Sequence, residues 1–155
     1  MPGLEDLYRE IILDHYRTPR NRGELAVPPA RHAEGHNPLC GDEITVFLDV
    51  AEQNGVDVIS DVKIAGQGCS ISQSSASMMS AAVKGKSVRE VRALVRKFKG
   101  MMSIDTGEDD PEVDVLLGDL EALQGVVKFP VRIKCATLAW NTLIEALDNP
   151  VPSDT

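Results

Sequence analysis

Three cysteines and one aspartate are the side chains of this chain best suited to hold a metal ion or carry reactive sulfur: Cys40, Cys69, Cys135 and Asp42. Tetrahedral zinc takes thiolate and carboxylate ligands, with Zn–S bonds of about 2.3 Å. Asp42 lies two residues beyond Cys40, and a tight turn at Gly41 lets both side chains reach one ion. Each cysteine falls at a junction between elements. Cys40 sits in Asn37-Pro38-Leu39-Cys40-Gly41-Asp42-Glu43 just before a strand, and Cys69 follows Gly66-Gln67-Gly68 where a helix begins. Cys135 is expected in the first turn of the last helix. Unpaired N–H groups and the dipole at a helix start favour a thiolate, which applies to Cys69 and Cys135. Three thiolates and a carboxylate together are strongly anionic, so the set requires a cation or a hydrogen-bond cradle. Plainer alternatives stay open: free cysteines are often simply buried in a core, and Asp42 is also a fitting residue to start a strand.

The elements that must position these residues are read from periodicity. Leu4, Leu7, Tyr8, Ile11, Ile12 and Tyr16 mark one apolar face of a helix ending at Thr18-Pro19. The following stretch is rich in Gly, Pro and Asn and reads as mostly loop, with a short strand near Arg31 to Glu34. Alternation from Glu43 to Val50 and from Val56 to Gly66, joined by Asn54-Gly55, predicts an antiparallel hairpin. A helix follows Cys69 and stops at Gly85, with Ile71, Ser75, Met78, Met79 and Ala82 on one face. Ser87 and Glu90 form a capping box for the next helix, which buries Val88, Val91, Leu94, Val95 and Phe98. Asp110-Pro111 caps a helix through Val113, Leu116, Leu117, Leu120 and Leu123, ended by Gly125. The last helix is expected from near Ile133 to Asn149-Pro150, with Ala136, Trp140, Leu143, Ile144 and Leu147 inward. Helix, hairpin, then helices is the order of an α+β domain, with helices packed on a small antiparallel sheet of about three strands.

The bulk composition sets limits on function. At 155 residues the chain fits one domain spanning 1–155, with enough residues to bury an ordinary core. A net charge of −8 repels nucleic acid and anionic membranes, and 4% aromatic residues supply few stacking platforms, so neither partner is expected. The opening residues MPGLEDLYRE carry no secretory pattern and no apolar run is long enough to span a membrane, so a cytoplasmic protein is expected. An odd number of widely spaced cysteines in such a chain argues against a disulfide framework.

Other polar residues have weaker claims. Arg132 and Lys134 flank Cys135 and could support an anionic site or meet an acidic partner; equally, they could be a solvated helical turn. His15 reads as ordinary docking surface, and His32 and His36 are minor metal candidates beside four better ones. Glu108, Asp109 and Asp110 lack the full calcium-loop pattern, and Met101-Met102 are expected to pack under the following helix.

Taken together, NPLCGDE, GQGCSISQSSASMM and RIKCATLAW resemble the U-type proteins of iron–sulfur cluster assembly, and the resemblance covers nearly the whole chain, including Tyr16-x-x-Pro19-x-Asn21. Two departures separate it from the cluster-building IscU type. Lys134 stands where that type carries a histidine before the third cysteine, and Val126-Val127-Lys128-Phe129-Pro130-Val131 replaces its chaperone-binding segment. A protonated amine cannot ligate a metal. The chain also holds an inserted acidic loop and helix at about 101–125, which is similar to the SufU branch. That resemblance implies a zinc-dependent sulfurtransferase, with Cys40, Asp42, Cys69 and Cys135 binding Zn2+ and Cys40 accepting sulfur. It further implies a pyridoxal-phosphate cysteine desulfurase of the SufS type as donor and downstream cluster-assembly proteins as recipients. The alternative is a scaffold on which a [2Fe–2S] cluster is assembled on the same thiolates.

Overall fold

The computed structural model describes residues 4–27, 30–38, 41–102, 104 and 116–148, with the backbone alone for 4–7. Helix α1, Leu4–Arg17, is followed by strands β1, Arg31–Asn37, β2, Asp42–Gln53, and β3, Val56–Gln67. Helices α2, Ser70–Val83, and α3, Val88–Met101, come next, then a 3-10 helix, Gly118–Lys128, and α4, Pro130–Asp148. The three strands form one antiparallel sheet in the order β1-β2-β3. The expected α+β architecture is therefore present. Among the described residues, no helix is long and apolar enough to cross a membrane.

Strand alternation builds the inner face of the sheet. Ile44, Val46 and Leu48 of β2 and Val62 and Ile64 of β3 are buried, while Thr45, Phe47 and Lys63 are more exposed. A register shift beside Asp49 and Val50 leaves Ser60 as the extra residue, whose hydroxyl donates to the Asp49 carbonyl at 2.9 Å. That bulge resets the phase, so Ile59 and Val62 both face the core despite their odd spacing. Asn54 and Gly55 have φ of 54° and 80°, the pair of left-handed residues that a two-residue hairpin turn with the strands' twist requires.

Strand β1 runs three residues past the expected end at Glu34 and pairs Asn37 with Asp42. Its low strand propensity hid it: the sequence there is polar and holds Gly35. The glycine is needed because α4 lies close, and a Cβ at Gly35 would stand 2.2 Å from Thr142 Oγ1 and 3.1 Å from Leu138 Cδ1.

Helix α2 is the central element. Its buried residues include Ser72, Ser74, Ser75, Ser77 and Ser80 as well as Met78 and Met79, so it is enclosed on more than the one expected face. Three of these serines bond to residues outside the helix, whereas Ser74 Oγ donates within it to the Ile71 carbonyl at 3.2 Å and the buried Ser72 hydroxyl has no partner among the described residues. Ser75 Oγ donates to the Ala136 carbonyl at 2.6 Å and accepts from Trp140 Nε1 at 3.0 Å. Ser77 Oγ accepts from the Arg20 N–H at 2.8 Å, and Asn21 Nδ2 donates to Ser80 Oγ at 3.0 Å. These bonds pin the segment after α1 against α2. Trp140 in turn stacks on Phe98 of α3 with ring centroids 4.4 Å apart. The capping box of α3 forms as read, with Ser87 and Glu90 bonded reciprocally.

Two helical boundaries differ from the expectation. The helix expected from Pro111 to Leu123 lies outside the described residues over 111–115; Leu116 and Leu117 are not helical, and a 3-10 helix runs from Gly118 past Gly125 to Lys128. Gly118, at φ 56°, sets the chain direction there. Helix α4 begins at Pro130, not near Ile133, because proline suits the first helical position and the Phe129 carbonyl accepts from the Arg132 N–H at 2.8 Å. Cys135 therefore lies in the second turn.

His15, read from the sequence as ordinary docking surface, is 4% exposed and carries specific polar contacts. Its Nδ1 lies 2.8 Å from Ser77 Oγ and its Nε2 3.4 Å from Asp119 Oδ2, joining α1, α2 and the 3-10 helix. Burial, and after it the Arg20 charge, hold the imidazole below its ordinary value of 6.5, against the pull of Asp119. As pH falls, the unfolded chain then takes up the proton first, so folding stability declines from about pH 6.5 downward until the folded imidazole is itself protonated. In denaturant titrations across that window, His15→Gln is expected to flatten part of the slope; an unchanged slope would exclude His15 as its source.

Candidate metal centre

The site lies where one end of the sheet meets the start of α2 and the second turn of α4. Asp42, the first residue of β2, is turned inward and 1% exposed, in phase with Ile44 and Val46. Cys69 is the N-cap of α2, half-buried, and its Sγ accepts from the Ser72 N–H at 3.5 Å. Cys135 is fully buried, with its Sγ 3.7 Å from the Val131 carbonyl. A carboxylate oxygen of Asp42 and the two sulfurs lie within 4.8 Å of one another. Residues 39 and 40 lie outside the described part, so the placement of Cys40 is not described. Its neighbour Gly41 is exposed and turns at φ 68°, and Asp42 follows directly.

Two glycines make room. A Cβ on Gly68 would stand 2.4 Å from Asp42 Oδ1, and a Cβ on Gly66, whose φ is 118°, would stand 2.0 Å from the Glu43 carbonyl oxygen. The gap at Gly68 lets the Cys69 N–H donate to Asp42 Oδ1 at 2.9 Å. The helix start thus grips the carboxylate through its backbone while presenting its cap thiol to the same point. For Cys135, in the second turn of α4, the helix-start argument for a lowered thiol pKa does not apply.

The donor set fits a metal ion. Tetrahedral zinc with bonds of about 2.3 Å to sulfur spaces its ligand atoms by roughly 3.8 Å, a modest contraction from the separation found here. Two thiolates and a carboxylate suit zinc and suit iron. The remaining residues singled out in the sequence stand apart. His32 and His36 alternate with the inward Ala33, Gly35 and Asn37 and so point to the other side of β1, where His32 stacks on Phe47. Lys134 is exposed on α4, and exposed Arg132 lines an open groove of about 800 Å3 with Tyr8, Ile12, Ile71 and Phe129, next to Cys69.

Asn37 is the site residue that the sequence reading quoted without a role. It is 6% exposed, and its Nδ2 lies 3.5 Å from Asp42 Oδ2 and 3.6 Å from Cys135 Sγ. The usable signal was its phase: Asn37 alternates with Ala33 and Gly35 on the inner face.

Known proteins place this arrangement in context. Residues 7–136 match the NifU-like N-terminal domain family. The chain is 46% identical over 141 residues to the zinc-dependent sulfurtransferase SufU of Bacillus subtilis (strain 168), covering 91% of this chain and 89% of that protein. It is 43% identical over 144 residues to the iron-sulfur cluster assembly scaffold protein IscU of Streptococcus pyogenes serotype M1, covering 93% and 84%. In three dimensions it resembles a candidate iron-sulfur cluster assembly scaffold protein for the SUF system (FiSufU) from Fervidobacterium islandicum AW-1, with a TM-score of 0.73, 32% identity, and 94% and 99% of the two chains covered. With a family match across most of its length and relatives of this identity on both sides, the chain belongs to the SufU/IscU/NifU N-terminal family of iron–sulfur cluster assembly proteins.

Proposed function

We propose that this protein is a zinc-dependent sulfurtransferase that accepts persulfide sulfur at Cys40 from a pyridoxal-phosphate cysteine desulfurase of the SufS type and passes it to iron–sulfur cluster assembly. The observation that carries this reading is the convergence of Asp42, Cys69 and Cys135, with Cys40 two residues from Asp42 across an exposed left-handed glycine. The name of the Bacillus subtilis relative supports it.

Asp42, Cys69 and Cys135, with Cys40, would hold the ion. Bound zinc supplies a Lewis acid that keeps thiol ligands deprotonated near neutral pH. Buried Asp42 and Cys135 and the cap residue Cys69 serve as fixed anchors, whereas Cys40, the residue before exposed Gly41 in the sequence, is the ligand that leaves the ion. In the transfer step the Cys40 thiolate attacks the outer sulfur of the desulfurase persulfide. A new S–S bond forms on Cys40, the desulfurase S–S bond breaks, and its electron pair leaves with the desulfurase thiolate. No external oxidant or reductant is consumed. Lys134, exposed on α4 next to Cys135 in the chain, would meet acidic groups of the partner, with Arg132 two residues before it.

Alanine and sulfide release from cysteine, measured with the desulfurase alone and with this protein added, tests the reading. Wild type is expected to stimulate turnover, and Cys40→Ser to abolish stimulation while remaining folded. Equal stimulation by Cys40→Ser would overturn it. A second reading, a scaffold assembling a [2Fe–2S] cluster, is favoured by the name of the Streptococcus pyogenes relative. Colour separates the two: aerobically purified zinc protein is colourless, whereas a cluster scaffold is brown.

A further inference from the structure

A cluster of thiolates and a carboxylate packed away from water needs N–H groups as well as a cation. Among the described residues, each of the three clustered donors receives at least one such N–H. Asp42 Oδ1 accepts from the Cys69 N–H, and Cys69 Sγ accepts from the Ser72 N–H; both bonds come from the backbone at the start of α2. The remaining two acceptors, Asp42 Oδ2 and Cys135 Sγ, share one side chain, the carboxamide of Asn37. Its neighbours are acceptors in the metal-binding form, which fixes the amide with nitrogen toward the site, and an amide nitrogen carries two N–H groups, one for each. Pairing of Asn37 with Asp42 in the β1–β2 ladder sets the amide's position, and close packing of α4 on Gly35 brings Cys135 to it.

We propose that Asn37 is a positioning residue of the metal centre, whose carboxamide donates to Asp42 and Cys135 at once and holds both donors toward a common ion. The proposal rests on the reading of this cluster as a metal site. Beyond geometry, an N–H on a ligand sulfur draws charge from its lone pairs, so Asn37 also tempers the donor strength of Cys135. The other two N–H groups belong to the backbone and do not depend on residue type; Asn37 alone of the three is open to side-chain substitution.

Co2+ binding measured by chelator competition, with the sulfur-to-cobalt charge-transfer band recorded, tests this on the full chain. Wild type is expected to bind with a tetrahedral thiolate spectrum. Asn37→Asp, which keeps the shape but exchanges donor for acceptor, and Asn37→Ala are each expected to bind about 10–100-fold more weakly. In Asn37→Ala the charge-transfer band should also move to lower energy, because the Cys135 sulfur has lost the N–H that Asn37 donates. A merely structural role would instead lower the melting temperature of the metal-free protein and leave the band in place. Should Asn37→Ala not fold, the isosteric Asn37→Asp carries the affinity measurement. Variant affinities within about threefold of wild type, or weaker binding of Asn37→Ala with an unmoved band, would overturn the proposal and leave the metal site standing. Absence of a thiolate–cobalt spectrum in wild type would remove the metal site and the proposal together.

Discussion

Cys135→Ser is expected to weaken Zn2+ binding by about two to three orders of magnitude while the metal-free chain stays folded. Structural zinc sites bind with an apparent free energy of about 10–16 kcal/mol, and one ligand of four carries roughly a quarter of it, about 2.5–4 kcal/mol. At about 1.4 kcal/mol per decade, that gives the stated loss. The fold should survive because serine is close to cysteine in size and can replace the present contact with the Val131 carbonyl by a hydroxyl bond. Chelator competition checks the affinity. Melting with and without chelator checks the linkage: removal of metal should lower the melting temperature of wild type and leave Cys135→Ser nearly unmoved. Wild-type zinc affinity in Cys135→Ser would take that cysteine out of the site.

The second large effect is expected at the sheet end that carries Asp42. Gly66 pairs with Ile44, has φ of 118°, and a Cβ there would meet the Glu43 carbonyl oxygen at 2.0 Å and Ile44 Cα at 3.0 Å, all of it backbone. Neither contact can be relieved by turning a side chain. Left-handed strain and overlap are each of the order of 1–3 kcal/mol, so Gly66→Ala should cost about 3–4 kcal/mol and lower the melting temperature by roughly 10 °C. Gly68→Ala makes the informative contrast. The three atoms nearest the added methyl all belong to the Asp42 side chain, with Oδ1 at 2.4 Å and Cγ at 3.0 Å, so the carboxylate must swing aside. Melting should change far less than in Gly66→Ala, and metal affinity should fall. Wild-type zinc affinity in Gly68→Ala, or full zinc occupancy and sulfur transfer in Asp42→Ala, would show that Asp42 is not a ligand.

How far the molecule was legible from its sequence follows from the kind of signal at each place. The hairpin was legible because its alternation is regular and Asn54-Gly55 demands one turn type. The α3 start was legible because a capping box is a local chemical pattern at Ser87 and Glu90. Strand β1 was underestimated because Gly35 answers to the nearness of α4, a contact between residues far apart in sequence. The same cause hid His15 and Asn37. Burial of a polar residue depends on its partners, here Ser77 and Asp119 for His15, and Asp42 and Cys135 for Asn37. Proline at 130 was available as a start signal for α4, and using it would have placed Cys135 beyond the reach of the helix-start argument. Around the metal centre, the cap position of Cys69 and the glycines at 66 and 68 could be read directly, since spacing alone puts them at the junction of β3 and α2.

The most direct measurement is the mass of the peptide bearing Cys40 after brief incubation of the full chain with the desulfurase and cysteine, quenched with a thiol-blocking reagent. Sulfur transfer to Cys40 predicts a blocked peptide heavier by one sulfur atom, its extra mass removed by reductant, with the peptides bearing Cys69 and Cys135 unchanged. A Cys40 peptide that never gains sulfur while the desulfurase turns over, or sulfur found instead on Cys69 or Cys135, would contradict it.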